Sequence, residues 1–219
     1  MHGGMSQDVE LGCRCGEVHG WVRGVSPSTV NRAICYCVDC QAFLHYLGRA
    51  ELLDAHGGTD LVQVAPRAVT FDRGGERIVG LRLATKGLHR WYSSCCKTPL
   101  GTTPKPSLPF VAMAPEVLRG ASDVRRRDEL FGKVRGAVFG QHATGGAPDG
   151  STRPQLRLIA HTLRLMLGWK LRGHTWPHPF FDHITRTPSR PVTTLSPDER
   201  EALRAMCGPS PRVPATPAS

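Results

Sequence analysis

Between about residue 8 and residue 113 the chain is a succession of short apolar runs broken by polar and turn-forming residues. Residues 18–22, 29–34, 60–64 and 68–71 are rich in β-branched side chains and partly alternate, which predicts strands. Arg73 to Glu76, with two glycines between them, reads as a hairpin turn into a further strand over 77–83. Lys86 and Gly87 turn the chain again into a strand over 88–92. One helix is expected just after Cys37, running through Gln41 and Tyr46 to a stop at Gly48. The proline-rich stretch 103–109 closes this β-rich unit.

The pattern changes beyond it. Residues 123–139 are highly charged, and Gly132, Gly136 and Gly140 weaken any helix there. A loop is expected over 141–150. Residues 154–172 read as a helix capped by Thr152 or Arg153, with Pro154 in its first turn and Gly173 at its end. Leu156, Ile159, Leu163, Met166 and Leu167 form one apolar face, while Arg157, Arg164 and Lys170 lie off it. Docking of that face on the chain's own core is the expected use, and no membrane partner is expected. A last helix begins at Ser196, whose spacing to Glu199 makes a capping box with Pro197 at the first helical position. The organisation expected is therefore a β domain over 8–118, a basic, partly helical extension over 119–208, and a disordered tail over 209–219. The fold class is mainly β, in the α+β sense.

Composition adds two points. Hydrophobic residues make up 40% of the 219, but aromatics only 6%, so the core is thin and crosslinks would help it. The net charge of +10 is uneven: residues 1–118 carry 12 Lys and Arg against 10 Asp and Glu, and residues 119–219 carry 16 against 8. The surplus of +8 in the second part is ordinarily a solvated surface, with nucleic acid or an acidic protein as the alternative partner.

The cysteines carry the chemistry. Seven of eight fall in three clusters: Cys13 and Cys15; Cys35, Cys37 and Cys40; Cys95 and Cys96. Packing gives thiols no reason to bunch, whereas a shared thiophilic cation requires it. No apolar leader precedes them and no run approaches a membrane span, so metal-bound thiolates in a cytoplasmic setting are expected rather than disulfides. Cys13 and Cys15 share one side of an extended segment, and Gly16 permits a turn that aims N–H groups at them. Cys95 and Cys96 are the obvious source of the other half of that site. The central trio supplies three ligands within six residues and leaves a tetrahedral position for water or substrate, or for a fourth ligand such as His45, Cys95 or Asp39. Cys207 stands alone and is read as a packing residue. Trp91 and Tyr92 are read as core, and His174, His178 and His183 as part of a docked surface loop.

The order of these clusters resembles the glutathione-dependent formaldehyde-activating enzyme family, which includes centromere protein V-like proteins. The residues that carry the resemblance are Cys13, Cys15 and Gly16; then Cys35, Cys37 and Cys40; then Tyr92, Cys95, Cys96 and Thr98–Pro99–Leu100. It covers roughly residues 10–113. The resemblance implies an antiparallel β-tent of the Mss4-like kind. It also implies a structural zinc on the outer cysteine pairs and a second, labile zinc on Cys35, Cys37 and Cys40. Two departures stand out. Ser93 occupies the place of the first cysteine of the last pair, so the fourth ligand is Ser93, Cys95 or another group. Gln41 to His45 replace the basic residues and Ser-Gly that usually follow the trio. The activity implied is that of a carbon–sulfur lyase acting on a small thiol or thiol adduct. The alternative is a non-catalytic, zinc-stabilised binding module.

Overall fold

Alternating side chains decide the architecture, because one central sheet has to satisfy a different neighbour on each face. The computed structural model describes residues 6–121, 123–148, 150–153 and 155–209. Three strands, β1 (Gln7–Gly12), β2 (His19–Val25) and β5 (Val69–Arg73), make a small antiparallel sheet in the order β1-β2-β5. Eight more make a large one. They are β3 (Asn31–Cys35), β4 (Thr59–Val64), β6 (Ile78–Arg82), β7 (His89–Ser93), β8 (Pro99–Thr103), β9 (Val111–Met113), β10 (Ala137–Val138) and β11 (Val192–Thr194). Their order is β10-β3-β4-β9-β8-β7-β6-β11, antiparallel inside and parallel at both edges.

The main core gathers residues of both sheets. Val9, Leu11 and Val22 of the small sheet belong to the same buried cluster as Val62, Ile78, Trp91 and Met113 of the large one. The other face of the large sheet holds Leu81 and Tyr92 against α1 (Val38–Tyr46) and α4 (Pro197–Arg204). Period-two alternation is visible here: Ile78 and Trp91 serve the first core, while Val79, Leu81 and Tyr92 serve the second. Gly80 pairs with Trp91, and a Cβ there would come within 2.9 Å of the indole, so only glycine lets the ring lie flat. Trp91 stacks on Phe180 at 4.7 Å and donates its Nε1–H to Thr103 at 2.8 Å.

Both outer strands of the large sheet come from beyond residue 118. Leu130, Phe131, Phe180 and Phe181 from that region also complete the main core. The extension over 119–208 is thus woven into the β unit. The tail expected to be disordered falls, from residue 210 on, outside the described residues.

Three expectations are corrected. The turn at 73–76 exists, with Gly74 at φ 73°, but it makes no hairpin: β5 stays in the small sheet and β6 enters the large one. The charged segment after residue 123 does form a helix, α2 (Val124–Phe131). Asp123 caps it by accepting from Arg126 N at 2.9 Å, and Gly132 ends it at φ 79°. Helix α3 (Leu156–Leu171) starts after Gln155, with no side-chain cap. Its buried face is Leu158, Leu165 and Trp169, whereas Leu156, Leu163 and Leu167 of the face expected to dock are 77%, 60% and 59% exposed. The loop over 174–183 is docked as expected, with His178 buried beside Phe181 and His183 exposed. Trp91 and Tyr92 are core as expected, Cys207 packs half-buried against α1 and α4, and the Ser196–Glu199 capping box is present. No helix among the described residues is long and apolar enough to cross a membrane.

Candidate metal centres

Two turns bring the outer cysteines together. β1 ends at Gly12, and Gly16 at φ 82° folds the next residues back so that Val18 N donates to Cys13 Sγ at 3.2 Å. The β7–β8 turn supplies Cys95 and Cys96. The four sulfurs of Cys13, Cys15, Cys95 and Cys96 lie within 4.8 Å of one another. Specific separations are 3.5 Å for Cys13–Cys15, 3.3 Å for Cys15–Cys95, 3.9 Å for Cys13–Cys95 and 4.0 Å for Cys95–Cys96. A tetrahedron with metal–sulfur bonds of about 2.3 Å has edges of about 3.8 Å, so the set fits one thiophilic ion.

The fourth sulfur of the group is thus that of Cys95. Adjacent cysteines can converge because Lys97, directly after them, takes a left-handed φ of 56°, which curls the turn around the sulfurs. Ser93 supports the site instead of joining it. Its hydroxyl lies 3.3 Å from Cys96 Sγ and accepts from Thr98 N at 3.0 Å. Burial opposes a Cys96 thiolate, but the Ser93 and Thr98 hydroxyls outweigh it and bring the thiol down to about 5. Burial, then the Cys15 thiol, push Cys95 up to about 12. Cys13 is buried while Cys15 and Cys95 are exposed, so this centre sits at the surface, between the end of β1 and the β7–β8 turn.

The second group is Cys35, Cys37 and Cys40, again within 4.8 Å of one another. Cys35 ends β3, Cys37 is the N-cap of α1, and Cys40 lies in its first turn. The capping role is literal: Cys37 Sγ accepts from Cys40 N at 3.3 Å. The N-terminus of α1 therefore points its free N–H groups at the sulfurs and favours their negative charge. Thiol hydrogen bonds from Cys35 and Cys37 hold Cys40 well below the ordinary thiol range against its burial, and Arg90 adds to the effect. Cys35 is raised, through its hydrogen bonds to Cys37 and Cys40 and through burial. Of the three thiols, Cys40 is the one whose surroundings most favour the thiolate.

Arg90 is the residue that sequence reasoning missed. It is 1% exposed, its Nη1 lies 3.9 Å from Cys40 Sγ, and its guanidinium sits over the Phe43 ring at 5.6 Å. Asp39 approaches Nη2 only to 3.7 Å, leaving that atom buried without a hydrogen bond. A buried cation this poorly paired needs an anion, and the thiolates are beside it. One signal was available: Arg90 shares a strand face with Tyr92, so its position faces inward.

None of the three expected fourth ligands completes the trio. Cys95 belongs to the other centre, and no His, Asp or Glu among the described residues joins the group. A cavity of about 20 Å³, lined by Cys40, Phe43, Arg90 and Thr102 among others, lies alongside, room for little more than a water. The residues that differ after the trio hold the extension in place. Gln41 is buried, donates to Tyr36 O at 2.8 Å and His142 O at 3.0 Å, and accepts from Gly208 N at 2.7 Å.

A profile of the family of unknown function DUF6151 matches residues 5–192. The chain belongs to that family. No match is found among curated proteins. The DUF6151 span contains all seven clustered cysteines, Arg90 and helices α1 to α3, and ends as β11 begins. Helix α4 and Cys207, which close over α1, lie beyond it.

Proposed function

We propose that the chain is a zinc protein related to the glutathione-dependent formaldehyde-activating enzymes, its two sheets forming a Mss4-like β-tent. In this reading Cys13, Cys15, Cys95 and Cys96 hold a structural zinc. Cys35, Cys37 and Cys40 hold a second, exchangeable zinc that serves carbon–sulfur lyase chemistry on a small thiol adduct. The observation that carries it is a trio of converging thiols without a fourth donor among the described residues. Zinc held there would supply a coordination position at which a thiol is deprotonated. The reaction is cleavage of an S-hydroxymethyl thiol: the carbon–sulfur bond breaks, formaldehyde leaves, and the hydroxyl proton passes to sulfur, with no net oxidation. The chain's own residues hold the charge and the approach. Arg90 balances the anionic trio from the buried side. Cys37 and Asp39 are half-buried and define the side from which substrate arrives.

A second reading, a non-catalytic zinc module that binds an acidic protein or nucleic acid, draws support from the tightness of the site. The cavity of about 20 Å³ excludes a tripeptide thiol on the Cys40 side. Native mass spectrometry tests both. Wild type should carry two ions and Cys37→Ser one, and a small thiol should add to the wild type only. Two ions in Cys37→Ser would sink the zinc assignment of the trio. Two ions in wild type, with neither thiol addition nor adduct cleavage, would leave the module.

A further inference from the structure

Helix α3 presents to solvent the side opposite its docked face. Leu156, Leu163, Leu167 and Leu171 are 77%, 60%, 59% and 79% exposed and follow one another at spacings of seven, four and four residues. At 100° per residue they form a stripe along one side, directly across from Leu158, Leu165 and Trp169. The helix contains no Asp or Glu. Arg157 and Arg164 flank the stripe on one side and Lys170 on the other, with Arg172 at the C-cap. None of these four is within salt-bridge distance of a carboxylate among the described residues.

A groove of about 980 Å³ runs beside the same helix. Its apolar lining includes Val22, Val64, Leu165 and Leu171, and arginines 23, 67, 164 and 172 also line it. Arg23 is held by Asp8 at 2.7 Å, and the other three are free of such partners among the described residues. Ridge and groove share Leu167, Leu171 and Arg164, so they are one surface. We propose that α3 and this groove dock the protein on an anionic phospholipid leaflet. The leucine ridge enters the boundary between headgroups and acyl chains, the groove accepts an acyl chain, and the arginines and Lys170 meet lipid phosphates.

Charge favours this occupant. A second copy stacked through the same face would set Arg157, Arg164 and Lys170 against their own kind. An acidic peptide would use the groove but leave the convex ridge bare.

The test is cosedimentation of the full, metal-loaded chain with vesicles of phosphatidylcholine alone or mixed equally with phosphatidylglycerol. Binding should require the anionic lipid and fall steeply with added salt. Leu163→Gln with Leu167→Gln should weaken it at least about tenfold, and Arg157→Ser with Arg164→Ser should flatten the salt dependence. All four residues are exposed, so circular dichroism and metal content should match wild type. Equal binding to neutral vesicles, no binding at low salt, or full binding by the leucine variant would each overturn the proposal. A leucine variant that changes sedimentation mass without vesicles would overturn it in favour of self-association. Capture of an acidic peptide without vesicle binding would overturn it in favour of a peptide groove.

Discussion

Arg90 sets the character of the second cysteine centre more than any one thiol does. Three thiolates around a divalent cation carry a net charge of −1, and a buried guanidinium at 3.9 Å compensates it. Arg90→Met keeps the packing over Phe43 but removes that charge. It should lower metal affinity at the trio by about 10- to 100-fold, the usual effect of losing an outer-sphere partner, and leave the four-thiol centre unchanged. Chelator competition reads this as two steps, of which only the weaker should move. His178 makes a prediction of another kind. Burial lowers it to about 4, with Nδ1 accepting from Phe180 N at 3.2 Å and Nε2 enclosed without a partner. Between about 6.5 and about 4 the unfolded chain binds a proton that the folded chain refuses, so stability falls as pH drops through that window. The loss from this residue is on the order of 3 kcal/mol and is complete below about pH 4. His89, lowered by burial and then by Arg82, acts in the same direction. Denaturant melts from pH 7 to pH 4 should show a smaller loss for His178→Gln than for wild type. An identical slope would mean that His178 is protonated in the fold.

Among the elements, α2 shows how tertiary partners override a poor local pattern. Its sequence is charged and followed by glycines, yet Arg32 on β3 grips it through Asp128 at 2.7 Å and holds Asp60 on β4 with three further bonds. Arg127 adds a contact to Glu116 at 2.9 Å. Because Arg32 is buried, Asp60→Ala should destabilise by about 3 kcal/mol or more, whereas Asp60→Leu combined with Arg32→Met should recover much of it. Equilibrium melts of the two variants test that ordering. Helix α3 failed in the opposite sense. Periodicity located it within two residues at each end, but an apolar stripe on two sides of a helix does not say which one meets the core. Trp169, Leu165 and Leu158 won because Ala65 and β3 lie beneath them, with Asn31 Nδ2 donating to Thr162 Oγ1 at 3.0 Å. The turn at 73–76 was legible as a turn. Local sequence held nothing about the change of sheet, because that depends on which strands are already paired.

At the scale of the molecule, the four-thiol centre and the extension both tie distant parts together. Cys13 and Cys95 are 82 residues apart, so an ion held between them would close a long loop between the sheets. The extension seals the fold from outside with β10, β11 and the Phe180–Phe181 pair. A chain ending at residue 118 should therefore lose cooperative unfolding and show red-shifted Trp91 emission, since Phe180 no longer covers the indole. A sharp transition with buried Trp91 would make the β unit independent.

The sequence by itself determined strands β2 to β7, helix α1, the capping box of α4 and the trio Cys35, Cys37 and Cys40 as one group. Those follow from spacing: period two, period 3.6, and thiols near enough in the chain to share an ion. Tertiary structure alone decided that Cys95 rather than Ser93 completes the first group, that Arg90 enters the second, and which side of α3 faces the core. Each of these depends on the direction of a side chain across a contact between segments far apart in sequence. The spacing of residues within one segment carries no record of what the other will place against it.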